Sequence, residues 1–170
     1  MANSASTLGG GNGGPLIGGF CIPIRLQHQR EKNDCWAACL AMIFKWQGIG
    51  ISCEQIFTAA PLHIPEYSYG QMATGAEVNR VSKRMTDQKI TFSQIDAIRS
   101  RNSDYWMQHI NKYKPVLTTI GNHCRILLGY NGLGQLIVMD PSPHKSPKNQ
   151  PEPIGIQFLQ NNCTDAWVMD

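Results

Sequence analysis

Cys35 lies where a polar, turn-rich stretch gives way to a helical pattern of apolar residues, a position that suits a nucleophile. Asn33 and Asp34 precede it, and both are residue types whose side chains cap helix N-termini by accepting first-turn N–H groups. The helix dipole and the N–H donors of a first turn favour the thiolate form of a cysteine placed there. The pattern therefore predicts that Cys35 is a reactive thiol, whereas most free cysteines are small buried residues.

Three further residues supply the other groups that acyl-transfer chemistry needs. Gln29 lies upstream at the spacing Gln-x5-Cys, which lets the chain fold back and place an amide donor beside the sulfur, next to the Cys35 backbone N–H. His123 begins an apolar stretch and is the candidate general base. A hairpin turning at residues 131–134 would return Asp140 to His123, where a carboxylate fixes the imidazole tautomer and stabilises the imidazolium.

In order and local context these four residues resemble the papain-like cysteine peptidases. Over roughly residues 25–142 the sequence is most similar to the bacteriocin-processing peptidase domains of ABC exporters and their stand-alone relatives. The shared features are Gln-x5-Cys, the aspartate before the nucleophile, and a strand-borne histidine followed by Asp-Pro. Trp36 follows the nucleophile, as in many papain relatives, where the exporter domains often have glycine. Bacterial effector peptidases delivered into other cells share this clan and a similar size.

The elements that must position these residues change type along the chain. Helical patterns follow Asp34, whereas apolar, β-branched runs separated by glycine-rich turns begin at Val116. We therefore expect an α+β, papain-like domain of two lobes, in which an N-terminal helical lobe carries Cys35 and a C-terminal antiparallel sheet carries His123 and Asp140. A last strand is predicted over 154–158, and residues 167–168 are expected to dock on the sheet.

The domain boundary is expected near Phe20. Residues 1–19 are rich in glycine and contain too little apolar surface to form a core, which predicts a flexible lead-in. With 42% hydrophobic residues, the rest of the chain can bury one core, so residues 20–170 are expected to form one peptidase domain. The lead-in resembles a tether after a delivery module, and the lack of a transporter domain argues against an exporter's own processing unit.

Composition argues against several other classes of protein. The net charge of +3 is small and scattered, with no basic run to indicate nucleic-acid binding. No apolar run is long enough to span a membrane and no secretory signal is visible, so we expect a soluble protein, secreted or delivered into a target cell. Six cysteines do not make a disulfide framework in a chain this long.

Zinc is the alternative use of these cysteines. Cys35 and Cys39 are one helical turn apart, and His123 with Cys124 would complete four ligands. Adjacent residues on a strand point to opposite faces, so His123 and Cys124 cannot easily bind one ion. We therefore expect no metal and no cofactor.

The favoured function is a cysteine endopeptidase that acts on protein or peptide substrates. The resemblance to leader-processing peptidases implies a narrow cleft that cuts after a Gly-Gly pair, and this chain has its own Leu-Ile-Gly-Gly before Phe20, which predicts self-release after Gly19. A bacterial effector or interbacterial toxin domain fits these features, and a toxin requires an immunity or inhibitor protein. The catalytic residues are equally compatible with a transferase, a deamidase or a cell-wall amidase, and a catalytically silent binding domain is the remaining alternative.

Overall fold

The helices and strands of the computed structural model lie within residues 18–31, 33–64, 73–143 and 150–170, which are the residues that the structure describes. In chain order they are β1 (Phe20–Cys21), α1 (Cys35–Trp46), α2 (Cys53–His63), α3 (Gly75–Met85), β2 (Phe92–Gln94), a 3-10 turn (Ile98–Ser100), α4 (Ser103–Asn111), β3 (Val116–Ile120), β4 (Cys124–Tyr130), β5 (Leu136–Met139), β6 (Glu152–Ile154), α5 (Ile156–Asn162) and β7 (Cys163–Met169).

The central helix α1 begins at the candidate nucleophile and is buried from Cys35 through Phe44. A helix that is apolar on all sides must be surrounded by other elements. Here α1 packs against β4 on one side and against α2 and α3 on others. It ends at Trp46, and Gly48 follows in the left-handed region (φ +79°) that favours glycine after a helix.

All strands belong to one antiparallel sheet with the order β2-β7-β3-β4-β5-β6, and β1 pairs with β4 beyond the end of β3. The pairing β3–β4–β5 is formed by two successive hairpins. The β4–β5 turn is closed by Asn131, whose side-chain oxygen accepts the N–H groups of Leu133 and Gln135, each at 3.0 Å. The two hairpins place the segments that follow β3 and β5 at the same end of the sheet.

Helices α2 and α3 both begin with a capping box, in which a hydroxyl side chain and a residue three positions later satisfy each other's backbone N–H groups. The start of α3 is also fixed to β7. The Gly75 N–H donates to Asp165 Oδ2 at 3.1 Å, while Trp167 Nε1 donates to Asp165 Oδ1 at 2.8 Å. A side chain at Gly75 would collide with Trp167, so the close approach of α3 to β7 requires glycine.

The predicted α+β class with a helical lobe and an antiparallel sheet is confirmed, and the apolar runs that begin at Val116 form the strands β3, β4 and β5. Two local predictions were wrong. The segment predicted as a strand over 154–158 forms β6 only up to Ile154, and α5 begins at Ile156 after the Gly155 N-cap. The other wrong prediction, the side-chain cap of α1, concerns the candidate site. Residues 167–168 do lie on the sheet as predicted, within β7, which pairs with both β2 and β3 as an inner strand. No helix in the described part of the chain is both long and apolar enough to cross a membrane.

Candidate active site

Cys35 is the first residue of α1, and its side chain is only 2% exposed. The backbone N–H of Cys124 donates to its sulfur at 3.4 Å. The sulfur thus lies where the start of α1 meets the start of β4, and it accepts a backbone N–H from the strand.

His123 is held immediately before β4 by a two-residue hairpin. Ile120 N–H donates to the His123 carbonyl at 2.9 Å, and His123 N–H donates to the Ile120 carbonyl at 3.2 Å. Between them Gly121 and Asn122 both have positive φ, +57° and +58°, the conformation of a type I′ turn. Because this turn suits glycine and asparagine, the local sequence itself places the histidine at the tip of the β3–β4 hairpin.

The imidazole of His123 is 15% exposed and joins two of the other predicted site residues. Its Nε2 lies 2.6 Å from Asp140 Oδ1, and its side chain is close enough to Cys35 for the sulfur to affect its pKa. Burial lowers the pKa of His123, but the hydrogen bond to Asp140 and the interaction with Cys35 outweigh this and raise the pKa to about 9. The geometry therefore favours an imidazolium between a carboxylate and a sulfur.

Asp140 follows β5 and is 1% exposed. Besides His123, its carboxylate contacts Arg125, whose Nε lies 2.8 Å from Oδ2, and the Ser142 N–H, which donates to Oδ1 at 2.8 Å. Burial alone would raise the pKa of Asp140, yet the hydrogen bonds from His123, Arg125 and Ser142 hold it well below its usual range. The carboxylate is thus a fixed negative charge with a partner on each oxygen.

Sequence reasoning did not assign a role to Arg125. The signal was present, because residues two apart on a strand point to the same face, and Arg125 is two residues after His123. The sequence alone did not show that the Asp140 side chain points toward Arg125, because this depends on how β5 pairs with β4.

Gln29 lies beside this carboxylate segment. Its backbone N–H donates to the Pro141 carbonyl at 2.9 Å, which brings the predicted oxyanion residue next to the segment that carries Asp140. Its side-chain Nε2 donates to the Glu31 carbonyl at 2.9 Å. The structure therefore brings Gln29 to the Asp140 side of the site, with its amide on the loop that leads to Cys35.

Asp34 was predicted to cap α1 with its side chain, and this prediction was wrong. Its buried carboxylate instead accepts the Arg30 N–H at 3.1 Å and the Glu31 N–H at 3.2 Å. The side chain of an N-cap aspartate turns toward whichever backbone donors are nearest. Here those donors belong to the preceding loop, so Asp34 folds the loop that carries Gln29.

The other thiols near α1 have environments that disfavour the thiolate. Burial raises the pKa of Cys39 well above its ordinary value, and its sulfur donates to the Cys124 carbonyl at 3.5 Å. Burial, followed by the negative charge of Asp34, raises the pKa of Cys53 to about 12. These cysteines are therefore expected to remain unreactive thiols.

The contacts of the four candidate zinc ligands do not indicate zinc binding; these residues are Cys35, Cys39, His123 and Cys124. His123 is engaged by Asp140 and Cys35, while Cys39 and Cys124 interact through a thiol and a backbone carbonyl. Among the residues that the structure describes, no three His, Cys, Asp or Glu side chains are grouped as metal ligands would be.

A small space adjoins the site at Cys124, with room for about one water molecule. The residues that line it come from the start of α3 and from strands β3, β4 and β7, and they are Ala73, Gly75, Val78, Leu117, Thr118, Thr119, Cys124 and Trp167.

Solved structures with this fold include several peptidases. The peptidase domain of Streptococcus ComA, a bifunctional ABC transporter, superposes with a TM-score of 0.62 at 19% identity, covering 85% of this chain and 96% of that domain. A double glycine motif protease from an AMS/PCAT transporter, solved with its leader peptide, gives 0.59 at 16% identity, covering 87% and 91%. A C39-like peptidase from Bacillus anthracis gives 0.62 at 12% identity, covering 88% and 95%. At these identities the likeness establishes the fold, which is that of the papain-like C39 peptidase domains.

The sequence gives the family. The profile of the papain-like cysteine protease AvrRpt2 family matches residues 17–152, which include Cys35, His123 and Asp140, and the chain belongs to that family. It is therefore a papain-like cysteine peptidase, a hydrolase, as the sequence analysis predicted. No curated protein sequence matches the chain significantly.

Proposed function

We propose that this protein is a cysteine endopeptidase in which Cys35 is the nucleophile, His123 the general base and acid, Asp140 the residue that orients His123, and Gln29 an oxyanion donor. The observation that carries the proposal is the convergence of three side chains: Nε2 of His123 lies 2.6 Å from Asp140 Oδ1, and the Cys35 sulfur accepts the N–H of Cys124, the residue that follows His123. Nucleophile, base and orienting carboxylate in this arrangement are the parts of an acyl-enzyme mechanism.

Each step follows from these positions. The thiolate of Cys35, paired with the His123 imidazolium, attacks the scissile carbonyl carbon, and the carbonyl oxygen takes up the negative charge. The imidazolium then gives its proton to the leaving amine as the C–N bond breaks, which leaves a thioester on Cys35. Neutral His123 next removes a proton from water as the water attacks the thioester. The C–S bond then breaks, and the carboxylic acid product leaves with the thiolate–imidazolium pair restored. Asp140 stabilises the charged imidazole in both halves.

The oxyanion needs two donors close to the sulfur. The Cys35 backbone N–H is one, since first-turn N–H groups of a helix have no partner within that helix. For the Gln29 amide to be the second, its Nε2 must exchange the Glu31 carbonyl for the oxyanion. The backbone of this loop is held in place, because the Gln29 N–H donates to Pro141 and the next two N–H groups donate to Asp34. The proposal therefore requires only that the Gln29 side chain rotate toward the oxyanion. An oxyanion donor of this kind contributes about 3–4 kcal/mol to the transition state.

Cleavage after a Gly-Gly pair is the proposed specificity. It is supported by the likeness of the fold to a double glycine motif protease and by the Leu-Ile-Gly-Gly sequence before Phe20. A peptide series that varies only the two residues before the cut tests this: Gly-Gly should give the highest kcat/KM, and a preference for a larger apolar residue would overturn this specificity.

Gly19 also has a structural reason to be glycine. Its backbone lies against the Tyr130 carbonyl so closely that a side chain would collide, and Phe20 pairs with Tyr130 in the sheet. Self-release after Gly19 therefore requires a test that does not substitute this residue.

A fusion with an upstream tag provides that test. Mass spectrometry should find cleavage after Gly19 in the active fusion and an intact chain in the C35A fusion. The C163A fusion is the matched control, because it also loses a buried cysteine, one at the start of β7 that has no proposed catalytic role. An intact active fusion, under conditions where a Gly-Gly peptide is cut, would refute self-release alone; failure to cut any peptide would refute the endopeptidase proposal.

The glycine-rich residues 1–19 support a further part of the proposal, a tethered bacterial effector or toxin domain formed by residues 20–170 and delivered to a target cell. Such a toxin requires an immunity or inhibitor protein in the producing cell. Expression of the active chain and of the C35A variant inside a bacterial host tests this: only the active chain should slow growth. Equal growth of both would contradict the toxin role.

The acyl acceptor distinguishes the remaining reactions of this fold. Family membership favours water, hence hydrolysis, over transfer to an amine or deamidation. Product analysis in ¹⁸O-labelled water decides between them, because a peptidase places one label in the new carboxylate, a deamidase leaves the backbone intact and a transferase forms a new amide bond.

A further inference from the structure

Arg125 occupies an unusual place for an arginine, since its side chain is only 13% exposed and lies behind the proposed triad. It is the second residue of β4, on the same strand face as His123 at the tip of the hairpin. Its Nε lies 2.8 Å from Asp140 Oδ2, and its NH1 donates to the Ile120 carbonyl at 3.4 Å. A single guanidinium thus contacts both the carboxylate that binds His123 and the turn that carries His123.

We propose that Arg125 is a positioning residue of this peptidase, which holds Asp140 with one oxygen on His123 and so fixes the orientation of the imidazole toward Cys35. This inference rests on the catalytic roles proposed above, and goes beyond them by giving the triad a fourth member.

The geometry explains why an arginine is needed. A carboxylate turns about its last side-chain bond unless both oxygens are held, and here Oδ1 accepts from His123 and Ser142 while Oδ2 is held by Arg125. The planar guanidinium directs several donors in fixed directions, which allows it to bridge the carboxylate and the Ile120 carbonyl. A lysine supplies the charge at one point but not this bridge.

Arg125 also sets the charge balance around the imidazole. With Arg125 present, the Asp140 carboxylate faces two cationic groups, and without it the whole negative charge acts on His123. Removing a positive charge near a histidine stabilises the imidazolium, and removing it near a thiolate destabilises the thiolate. Other titratable or charged groups among the described residues of this neighbourhood come from α1, α2, β4, β7 and the segment before α1, and they include Cys35, Cys39, Cys53, Cys124, Cys163, Asp34 and His28.

The test compares R125Q and R125K with the wild type, and R99Q serves as the matched control because Arg99 is exposed and away from the site. For R125Q we expect kcat to fall about tenfold or more with KM changed less than about threefold, and both limbs of the pH–rate profile to move up by about half to one pH unit. R125K should keep the wild-type limbs and give an intermediate kcat. R99Q should match the wild type.

A second readout does not depend on peptide cleavage. The rate at which iodoacetamide alkylates Cys35, followed by peptide mapping against pH, reports thiolate formation directly. In R125Q this profile should shift to higher pH, and in R125K it should not. If the wild type cuts no peptide but the shift is present, the proposed peptidase function fails while the role of Arg125 stands.

Three results would overturn the inference. A wild-type kcat in R125Q would show that Arg125 is not needed, and a lower kcat with unshifted limbs and an unshifted alkylation profile would show a merely structural role. If R125Q does not fold, R125K decides the matter: a wild-type kcat in that variant would show that the guanidinium bridge does not position Asp140.

Discussion

The backbone N–H of Cys124 donates to the sulfur of Cys35 at 3.4 Å, and so the first residue of β4 is bonded to the first residue of α1. The residue before Cys124 is His123, which means that the strand segment carrying the base also supplies a donor to the nucleophile. Any shift of β4 relative to α1 changes both contacts together. The spacing of sulfur and imidazole is therefore set by the packing of one helix on one strand.

Replacement of the nucleophile or the base should abolish turnover while the fold persists. Cys35→Ala removes only a sulfur from a buried position, so the free energy of unfolding should fall by about 1 kcal/mol or less. His123→Ala removes the base and should likewise leave no measurable kcat. The measurement is peptide hydrolysis at matched circular dichroism, with C163A as the active control. Wild-type activity in either variant would show that the roles are assigned to the wrong residues.

Asp140 should tolerate an amide better than it tolerates truncation. Asp140→Asn keeps a carbonyl oxygen that can accept from His123, and the imidazolium needs an acceptor more than a full charge. Asp140→Ala leaves the buried Arg125 without its carboxylate, which should destabilise the fold by about 3–5 kcal/mol. We expect kcat/KM to decrease in the order wild type, Asp140→Asn, Asp140→Ala, with Cys35→Ala lowest. Urea unfolding and initial rates measure the two effects separately.

Equal and complete inactivation by both Asp140 substitutions, in variants that remain folded, would contradict an orienting role. Asp140 would then act in the chemistry itself or determine the shape of the site as a whole.

The pH–rate profile should be a bell. The rate rises as the thiolate–imidazolium pair forms and falls as the imidazolium of His123 loses its proton, near pH 9. Measurement of kcat/KM from about pH 5 to pH 10.5 locates both limbs. A rate that only rises, along the titration of an ordinary thiol near pH 8.5, would argue against pairing of Cys35 with His123.

The same histidine should make stability depend on pH. Its pKa is raised in the folded protein to about 9 from about 6.5 in the unfolded chain, so its contribution is fully present below pH 6.5 and is lost as the pH rises through 9. With solvent screening the loss should be on the order of 2 kcal/mol. Urea unfolding of the wild type at pH 6 and pH 9.5 should show it, and His123→Ala should show a markedly smaller change. Identical changes in both proteins would assign the dependence to other groups.

Gly75 should not tolerate a methyl group. A side chain there collides with Trp167 and Asp165, so Gly75→Ala should push α3 away from β7 and cost about 1–3 kcal/mol in the free energy of unfolding. Gly50→Ala is the matched control, because no atom lies within 4 Å of the position its side chain would take. Chemical denaturation of both variants checks the prediction, and equal stability would mean that α3 does not pack against β7 as described.

The sequence was sufficient for the parts of the fold that local chemistry determines. The apolar helical pattern after Asp34, β-branched runs and turn glycines predicted α1 and the hairpins β3–β4 and β4–β5, and these positioned Cys35, His123 and Asp140. It was insufficient where contacts between distant segments decide. The Asp34 carboxylate binds the loop before it rather than the helix after it, and Arg125 meets Asp140 only because β5 pairs with β4. In the same way, Ile156 and Leu159 have a spacing that suits a helix, yet neighbouring apolar residues also suit a strand.

The pairing of β1 with β4 keeps the Gly19–Phe20 bond away from the Cys35 thiol of the same molecule. Phe20 pairs with Tyr130, whereas Cys35 contacts Cys124 at the other end of the same strand, about 20 Å away at the rise of an extended chain. A folded molecule therefore cannot present its own Gly19–Phe20 bond to its own thiol while β1 remains paired. The proposed self-release therefore requires β1 to detach first, after which the bond can reach its own thiol or that of another molecule. A half-time that doubles with each twofold dilution would identify cleavage between molecules, and a half-time that does not change would identify cleavage within one.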